Sequence, residues 1–454
     1  MRSPRVGRDP WSTWTHWVSA GYVKLPSPLA RLSAGPATVG APVASAVTRT
    51  APTGAVTEAM ADSKTVRTEP ARSRRPRRAW RRRAIVGAVL ALLFGVPCWT
   101  LLWAGSPWPV GVSVAGTAVL AAAVAALPIL MRYGHGHPHR DRAAVAGDAL
   151  LGVAWVLFVW SVLSLALRLA LAVSGVGDPG AARIVAVAVV GVVVALLAWG
   201  FAEAMRVPRT RHVDVVMPRL GAGLDGLRVA MITDTHYGPI NRARWSAAVA
   251  GRLNDIGAEI VCHVGDIADG TVDGRGAQAE PLAAVQATLA RAYVTGNHEY
   301  FSEAQGWLDH MQEIGWEALH NRHIVVERGG DRLVIAGIDD ATAAASGLDG
   351  HAADLRAALA GADPALPVVL LAHQPKQIVD AVGAGVDLQL SGHTHGGQIW
   401  PFNYLVRLDQ PVVQGLSAHG PRTQLYTSRG TGFWGPPFRV FAPSEITVLT
   451  LRRR

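Results

Sequence analysis

Four apolar runs dominate the first half of the chain. Residues 84–104, 109–131, 149–167 and 184–202 contain no Asp, Glu, Lys or Arg. Each is about 20 residues long, the length at which a helix crosses a ~30 Å hydrocarbon core. Trp103, Trp108 and Trp199 stand near the ends of these runs, where indoles favour the membrane interface. The pattern predicts an all-α, four-helix transmembrane region over 84–205. The first run and its arginine-rich flank have the outline of an export signal, but three further runs favour a multipass anchor.

Beyond residue 212 the pattern shortens. Apolar runs at 228–233, 259–264, 291–295, 333–337, 367–372 and 386–390 alternate with helical patterns near 242–254, 278–290, 302–314, 351–360 and 375–382. Such alternation predicts one α/β domain over 212–454, a sheet flanked by helices. The Pro-interrupted chain from 400 to 440 reads as loops and irregular strands. Residues 1–83 carry neither period, and the first 70 are rich in Ala, Ser, Thr, Pro and Gly, so 1–83 is expected to be a disordered basic tail. Trp11, Trp14 and Trp17 read as solvated residues within it, and Met60 is an alternative start.

Composition agrees with the membrane reading. Half of the 454 residues are hydrophobic, 17% are charged and the mean hydropathy is +0.22, which excludes a disordered protein. The net charge of +10 is unevenly spread. Residues 1–83 hold sixteen Lys/Arg against four Asp/Glu, while 212–454 hold nineteen against twenty-five. A nucleic-acid-binding protein would carry its positive charge on the binding domain, so no nucleic-acid partner is expected. Eight arginines between Arg72 and Arg83 read as a membrane-proximal flank. Arg132, Arg140 and Arg142 follow the second run, and Arg206, Arg209 and Arg211 follow the fourth. The other two loops hold only Arg183 between them. The positive-inside rule then puts both chain ends, and the 212–454 domain, in the cytoplasm of a multipass cell-membrane protein. Charge-free spans argue against a transporter.

Some residue types add nothing to this picture. Cys98 and Cys262 form neither a disulfide framework nor a zinc-like cluster. His135, His137 and His139, alternating with Gly and Pro, read as polar loop residues rather than a metal site.

The chemistry lies where the short apolar runs end. After RVAMIT come Asp234, Thr235 and His236; after EIVCHV come Gly265, Asp266 and Asp269; after RAYVT come Gly296, Asn297, His298 and Glu299. His373 follows VVLLA, and Gly392, His393 and His395 follow VDLQL. Five strand ends therefore each offer a metal ligand, on the side of an α/β sheet where sites form. Oxygen and imidazole donors without thiolate suit Mn, Fe or Zn. Asp339 and Asp340, after VIAGI, either line the substrate mouth or cap a turn.

D-x-H, GD-x-x-D, GNHE, a lone His after an apolar strand and GHTH, in this order and spacing, resemble the calcineurin-like metallophosphoesterase superfamily. The likeness covers about 225 to 450, and GHTHGGQIWP is similar to its bacterial membrane-associated, phosphodiesterase-like members. The resemblance implies a sheet sandwich flanked by helices and a site for two divalent metal ions. One ion would take Asp234, His236 and His395, the other Asn297, His373 and His393, with Asp266 bridging both. It further implies that His298 contacts phosphate and protonates the leaving group, that Asp269 orients His298, and that a metal-bridging hydroxide attacks phosphorus. Phosphoprotein phosphatases carry arginines where this chain has Gly270 and Thr295, so diesters or pyrophosphates fit better than dianionic monoesters. Arg429 and Arg439 are the candidates for substrate contact. Four spans point to a substrate at the bilayer, such as a lipid-linked phosphoester. The alternatives are a phosphohydrolase of soluble nucleotides or monoesters, and a membrane sensor or scaffold that binds phosphorylated ligands; the intact His298 argues against the latter.

Overall fold

The computed structural model describes residues 75–136 and 139–454. The tail expectations for residues 1–74, including Trp11, Trp14, Trp17 and Met60, lie outside the described residues, as does His137. Four long helices come first: α1 (Arg75–Cys98), extended by a π-helical turn to Trp103, α2 (Val110–His135), α3 (Asp141–Val173) and α4 (Gly180–Met205). Each contains a stretch long and apolar enough to cross a membrane. The helices pack through small clusters such as Leu93, Phe94, Leu127, Met131 and Ala154. Leu165, Leu169, Val187 and Val194 stay exposed around the outside. In water that apolar surface would be costly; in a bilayer it is the solvent-matched face.

Two six-stranded sheets follow. The first has the order β1 (Arg209–Val216), β12 (Glu445–Arg452), β2 (Arg228–Ile232), β3 (Ile260–Val264), β4 (Ala290–Val294), β5 (Glu317–Ala318). The second runs β10 (Gly415–His419), β11 (Thr423–Thr427), β9 (Leu388–Ser391), β8 (Val368–Leu371), β7 (Asp331–Gly337), β6 (Arg322–Arg328). β2, β3 and β4 are parallel neighbours, as are β8 and β9. The sheets pack face to face over Val229, Met231, Cys262, Val264, Leu371 and Leu390. The alternate residues Ala230, Ile232, Val261 and Tyr293 point outward under α5 (Ala243–Ile256), α6 (Val272–Ala279) and, after the short α7 (Asn297–Ser302), α8 (Ala304–Glu313). The second sheet is covered by α9 (Ile378–Ala384) and its neighbours. Strands apolar on both faces are what a helix–sheet–sheet–helix arrangement requires.

The expected sheet sandwich flanked by helices, behind four apolar helices, is the observed fold. One element moved: the helix expected over 278–290 lies at 272–279 and tightens into a 3-10 turn to Ala284. Thr271 Oγ1 caps its start by accepting from Gly274 N, and Pro281 cannot continue an α-helix. The 400–440 segment contains β10 and β11 among its loops.

The sandwich is tied to the helices at several points. Arg275 on α6 pairs with Asp141 at the start of α3, at 2.6 and 3.0 Å. Trp155 Nε1 donates to Ile399 O (3.3 Å), and Arg439 N donates to Gly200 O (2.9 Å). Ile399, Phe438 and Val440 bury themselves against Val156, Val189 and Val193.

Candidate metal centre at the strand ends

The turns leaving the strands are bent in an uncommon way. Nine non-glycine residues among those described have positive φ, and five of them are Asp234 (54°), His236 (45°), Asp266 (53°), His393 (68°) and His395 (50°). Left-handed backbone at such residues costs of order 1 kcal/mol each and collects at functional sites. Glycine makes room beside them. A Cβ on Gly296 would stand 2.2 Å from Asp266 Oδ1, and one on Gly265, itself at φ +81°, would stand 2.6 Å from His373 Nδ1.

These turns bring two ligand groups together. In Asp234, His236 and His395 the donor atoms lie within 4.8 Å of one another, and the same holds for Asp266, His373 and His393. His236 Nε2 faces His395 Nε2 at 3.1 Å, and His395 Nε2 stands 3.3 Å from Asp234 Oδ1. Asp266 Oδ2 lies between the groups, 3.1 Å from His373 Nε2 and 3.6 Å from His236 Nε2. His373 Nδ1 donates to Val264 O at 2.8 Å, which leaves its Nε2 as a lone-pair donor with no hydrogen-bond partner. Asn297 Oδ1 is likewise buried and without a partner.

Those orphaned atoms are the test of whether a cation fits. Two buried lone pairs, facing imidazole nitrogens and two buried aspartates make an arrangement that is unfavourable without positive charge. Burial pushes the Asp234 carboxyl upward, and the nearby Asp266 charge adds to that, while the His373 and His236 imidazoles act against it. The N/O donor set suits divalent Mn, Fe or Zn. The residues fit a divalent metal site.

His298 lies in the first turn of α7, beside the cluster. Its Nδ1 stands 2.6 Å from Asp269 Oδ1, and the same oxygen lies 2.9 Å from His236 Nδ1. Burial disfavours the His298 imidazolium, yet Asp266 and Asp269 raise its pKa to about 9. Phe301 and Trp434 flank the ring, with centroids 5.3 and 5.9 Å away. The other residues that the sequence put at the site lie at the cluster or against it, and the two arginines are taken up by protein groups. Arg429 is held by Glu445 (Nη2–Oε2 2.7 Å, Nε–Oε2 2.8 Å). Arg439 is fully buried, donating to the carbonyls of Gly432 and Ala442, with Nη2 3.2 Å from His395 Nδ1.

Other residues took roles the sequence left open or hid. Asp340 Oδ1 accepts from Thr342 N, Thr342 Oγ1 and Gln374 Nε2, so it caps a turn, and Asp339 pairs with His320 at 2.6 Å. His135 reaches Asp148 at 2.9 Å. Glu299, the last residue of GNHE, accepts from the backbone N–H of Asp266, Ile267, Ala268 and Gly296 and so fixes the loop that carries Asp266. Arg242 lies buried beside the cluster; its basic neighbourhood in NRAR had nothing to mark it.

Comparison with known proteins identifies the family of the domain that carries this cluster. The family profile described as calcineurin-like phosphoesterase matches residues 227–397. A transmembrane protein with metallophosphoesterase domain from Danio rerio is 36% identical over 58% of this chain and 62% of its own length. Its Bos taurus counterpart is 33% identical over 56% of this chain and 59% of its own length. The chain thus spans about three fifths of those relatives. An uncharacterized metallophosphoesterase of Helicobacter pylori is 34% identical over 58% of this chain and 70% of its own. A solved calcineurin-like phosphoesterase from Bacillus subtilis shares 14% identity, covering 48% of this chain and 88% of that one at a TM-score of 0.32. Because the Helicobacter likeness runs through more than two thirds of that protein, and the profile ends just past the last of the clustered histidines, this chain belongs to the calcineurin-like phosphoesterase family.

Proposed function

We propose that this chain is a multipass, membrane-anchored phosphoesterase that uses two divalent metal ions to hydrolyse phosphodiester or pyrophosphate bonds, with its catalytic domain, residues 212–454, on the cytoplasmic face. The observation that carries the reading is Asp266 Oδ2, which reaches both histidine groups at once. One ion would be held by Asp234, His236 and His395, the other by Asn297, His373 and His393, with Asp266 shared. Bound divalent ions supply Lewis acidity, which activates water and neutralises charge on the phosphoryl group.

The chain's own residues do the remaining work. Asp269 fixes the His298 ring through Nδ1, so Nε2 is the atom that carries a proton to the leaving oxygen. Glu299 holds the Asp266 loop in place through its backbone amides. Phe301 and Trp434 lie against the His298 ring, an aromatic flank that suits an apolar leaving group. Positions 270 and 295 lack arginine, and Arg429 and Arg439 are already held by protein groups, which favours a singly charged diester over a dianionic monoester. The docked apolar helices favour a lipid-linked substrate.

The test is turnover by the full chain in detergent, stripped with chelator and assayed on bis-p-nitrophenyl phosphate and p-nitrophenyl phosphate with and without manganese. Metal-restored diester hydrolysis exceeding monoester hydrolysis is expected. Two bound ions with no turnover of either would favour a binding module. Protease accessibility in intact cells tests the cytoplasmic placement.

A further inference from the structure

Arg242 closes the loop after β2 and is 4% exposed. Its guanidinium lies 3.6 Å from the Trp245 ring centre and 4.7 Å from that of Phe433. Nη1 reaches Thr235 O at 3.4 Å, but Nε and Nη2 have no hydrogen-bond partner, and no carboxylate among the described residues is ion-paired with it. The loop is held rigidly: Arg242 N donates to Gln278 Oε1 (2.8 Å), and Gln278 Nε2 donates to Gly238 O (3.0 Å). Burial lowers the Arg242 pKa to about 9, which still leaves the group charged at neutral pH. A buried cation with unused donors is unfavourable unless something anionic meets it.

Arg242 is among the residues that line a cleft, with His236, Asp269, Phe433 and Pro437 on the catalytic side and Val145 and Asp148 of α3. The two carboxylates there are already engaged, Asp269 by His236 and His298, Asp148 by His135. We infer that Arg242 is an anion-binding residue that takes a phosphoryl oxygen of the substrate in this cleft, between the metal-ligand cluster and the first turns of α3. A planar fork lying over aromatic rings presents its edge to an oxyanion, and guanidinium is the side chain suited to that contact. Because α3 is one of the apolar helices, the organic part of such a substrate lies at the bilayer edge. The inference rests on the phosphoesterase reading for the word substrate, but not for the anion site itself.

The experiment compares wild type, Arg242→Met and Arg242→Lys, as full chains in phosphatidylcholine nanodiscs, by thermal unfolding without additive, with inorganic phosphate, and with phosphatidic acid in the disc. Wild type should gain Tm with one of the two phosphoryl sources: inorganic phosphate if the cleft takes a free group, phosphatidic acid alone if it takes a lipid headgroup. Arg242→Met should unfold at a higher temperature than wild type without additive, since an unmatched buried charge is gone, and should lose at least half of the phosphoryl-induced gain. Its KM for a diester should rise about ten-fold or more, the scale of a lost charged hydrogen bond. If the methionine variant does not fold, Arg242→Lys is decisive, with a kept Tm but a smaller phosphoryl gain and a raised KM. A lowered Tm in a folded Arg242→Met that keeps the full phosphoryl gain, or an Arg242→Lys unchanged in gain and KM, would overturn the proposal and make Arg242 a packing strut. No gain in wild type from either source overturns it too. An Arg242-dependent gain in a protein that hydrolyses no ester would instead retain the anion site and reject the hydrolase.

Discussion

Asp269 Oδ1 is shared by two imidazoles, 2.6 Å from His298 Nδ1 and 2.9 Å from His236 Nδ1. One oxygen thus orients both the proposed proton donor and a proposed metal ligand. Asp266 and Asp269 together hold the His298 pKa near 9 against the effect of burial, and bound cations act in the opposite direction.

His298→Ala removes the proton donor without removing a ligand. We expect kcat to fall by about 10²–10⁴ with metal content unchanged by elemental analysis. The loss should be largest for a diester with an alkoxide leaving group and smallest for a nitrophenolate, which departs without a proton.

Asp269→Asn should damage two functions at once. The neutral amide oxygen accepts from the two Nδ1–H groups more weakly than the carboxylate does, so metal affinity should drop by about 10–100-fold, the usual cost of disturbing an outer partner, alongside kcat. Competition with a chromogenic chelator measures the first, and saturating-metal kinetics the second. Unchanged metal affinity would mean that His236 does not depend on this oxygen.

Glu299 is predicted to be structural for the site. Glu299→Ala leaves the buried amides of Asp266, Ile267, Ala268 and Gly296 without their acceptor, at about 1–3 kcal/mol for each group left unsatisfied. Glu299→Gln keeps one acceptor oxygen and should lose less. The order wild type, Gln, Ala in thermal stability checks this.

Chelation should destabilise the protein as well as inactivate it. Ions that bind only the folded state add about 4 kcal/mol at a concentration ~1,000-fold above Kd, and their removal leaves Asp234, Asp266 and the unpartnered His373 Nε2 buried together. A Tm that falls with chelator and returns with manganese, with two ions regained per chain, is the expected result.

Acid should weaken the Glu445 node. Burial alone would raise the Glu445 pKa, but Arg429, with Tyr426 and Arg211, holds it below the ordinary glutamate value. A depressed folded-state pKa contributes stability that is complete above the unfolded value near ~4.3 and is lost as pH falls through the folded value. Between pH 6 and pH 3 the Tm of wild type should therefore fall more than that of Glu445→Gln.

Much of the site was legible because its signals are local. Gly265 and Gly296 adjoin ligands because a Cβ would strike His373 or Asp266, and Asp and His follow apolar runs because the turns expose them at strand ends. Arg429 and Arg439 were poorly legible, since a sequence gives their charge but not their partners. Glu445 and the carbonyls of Gly432 and Ala442 reach them only after folding.

The sequence by itself determined the four apolar helices, the alternation of short strands and helices, and the order of the ligands, because run length, period and turn chemistry act between near neighbours. Tertiary structure alone decided the rest. It set the strands into two sheets, so that His236 at the end of β2 meets His395 after β9, 159 residues away, at 3.1 Å. It also laid Arg242 over the rings of Trp245 and Phe433 with donors to spare. Whether a charge is matched depends on every group that arrives around it, and packing at close range is the only process that selects them.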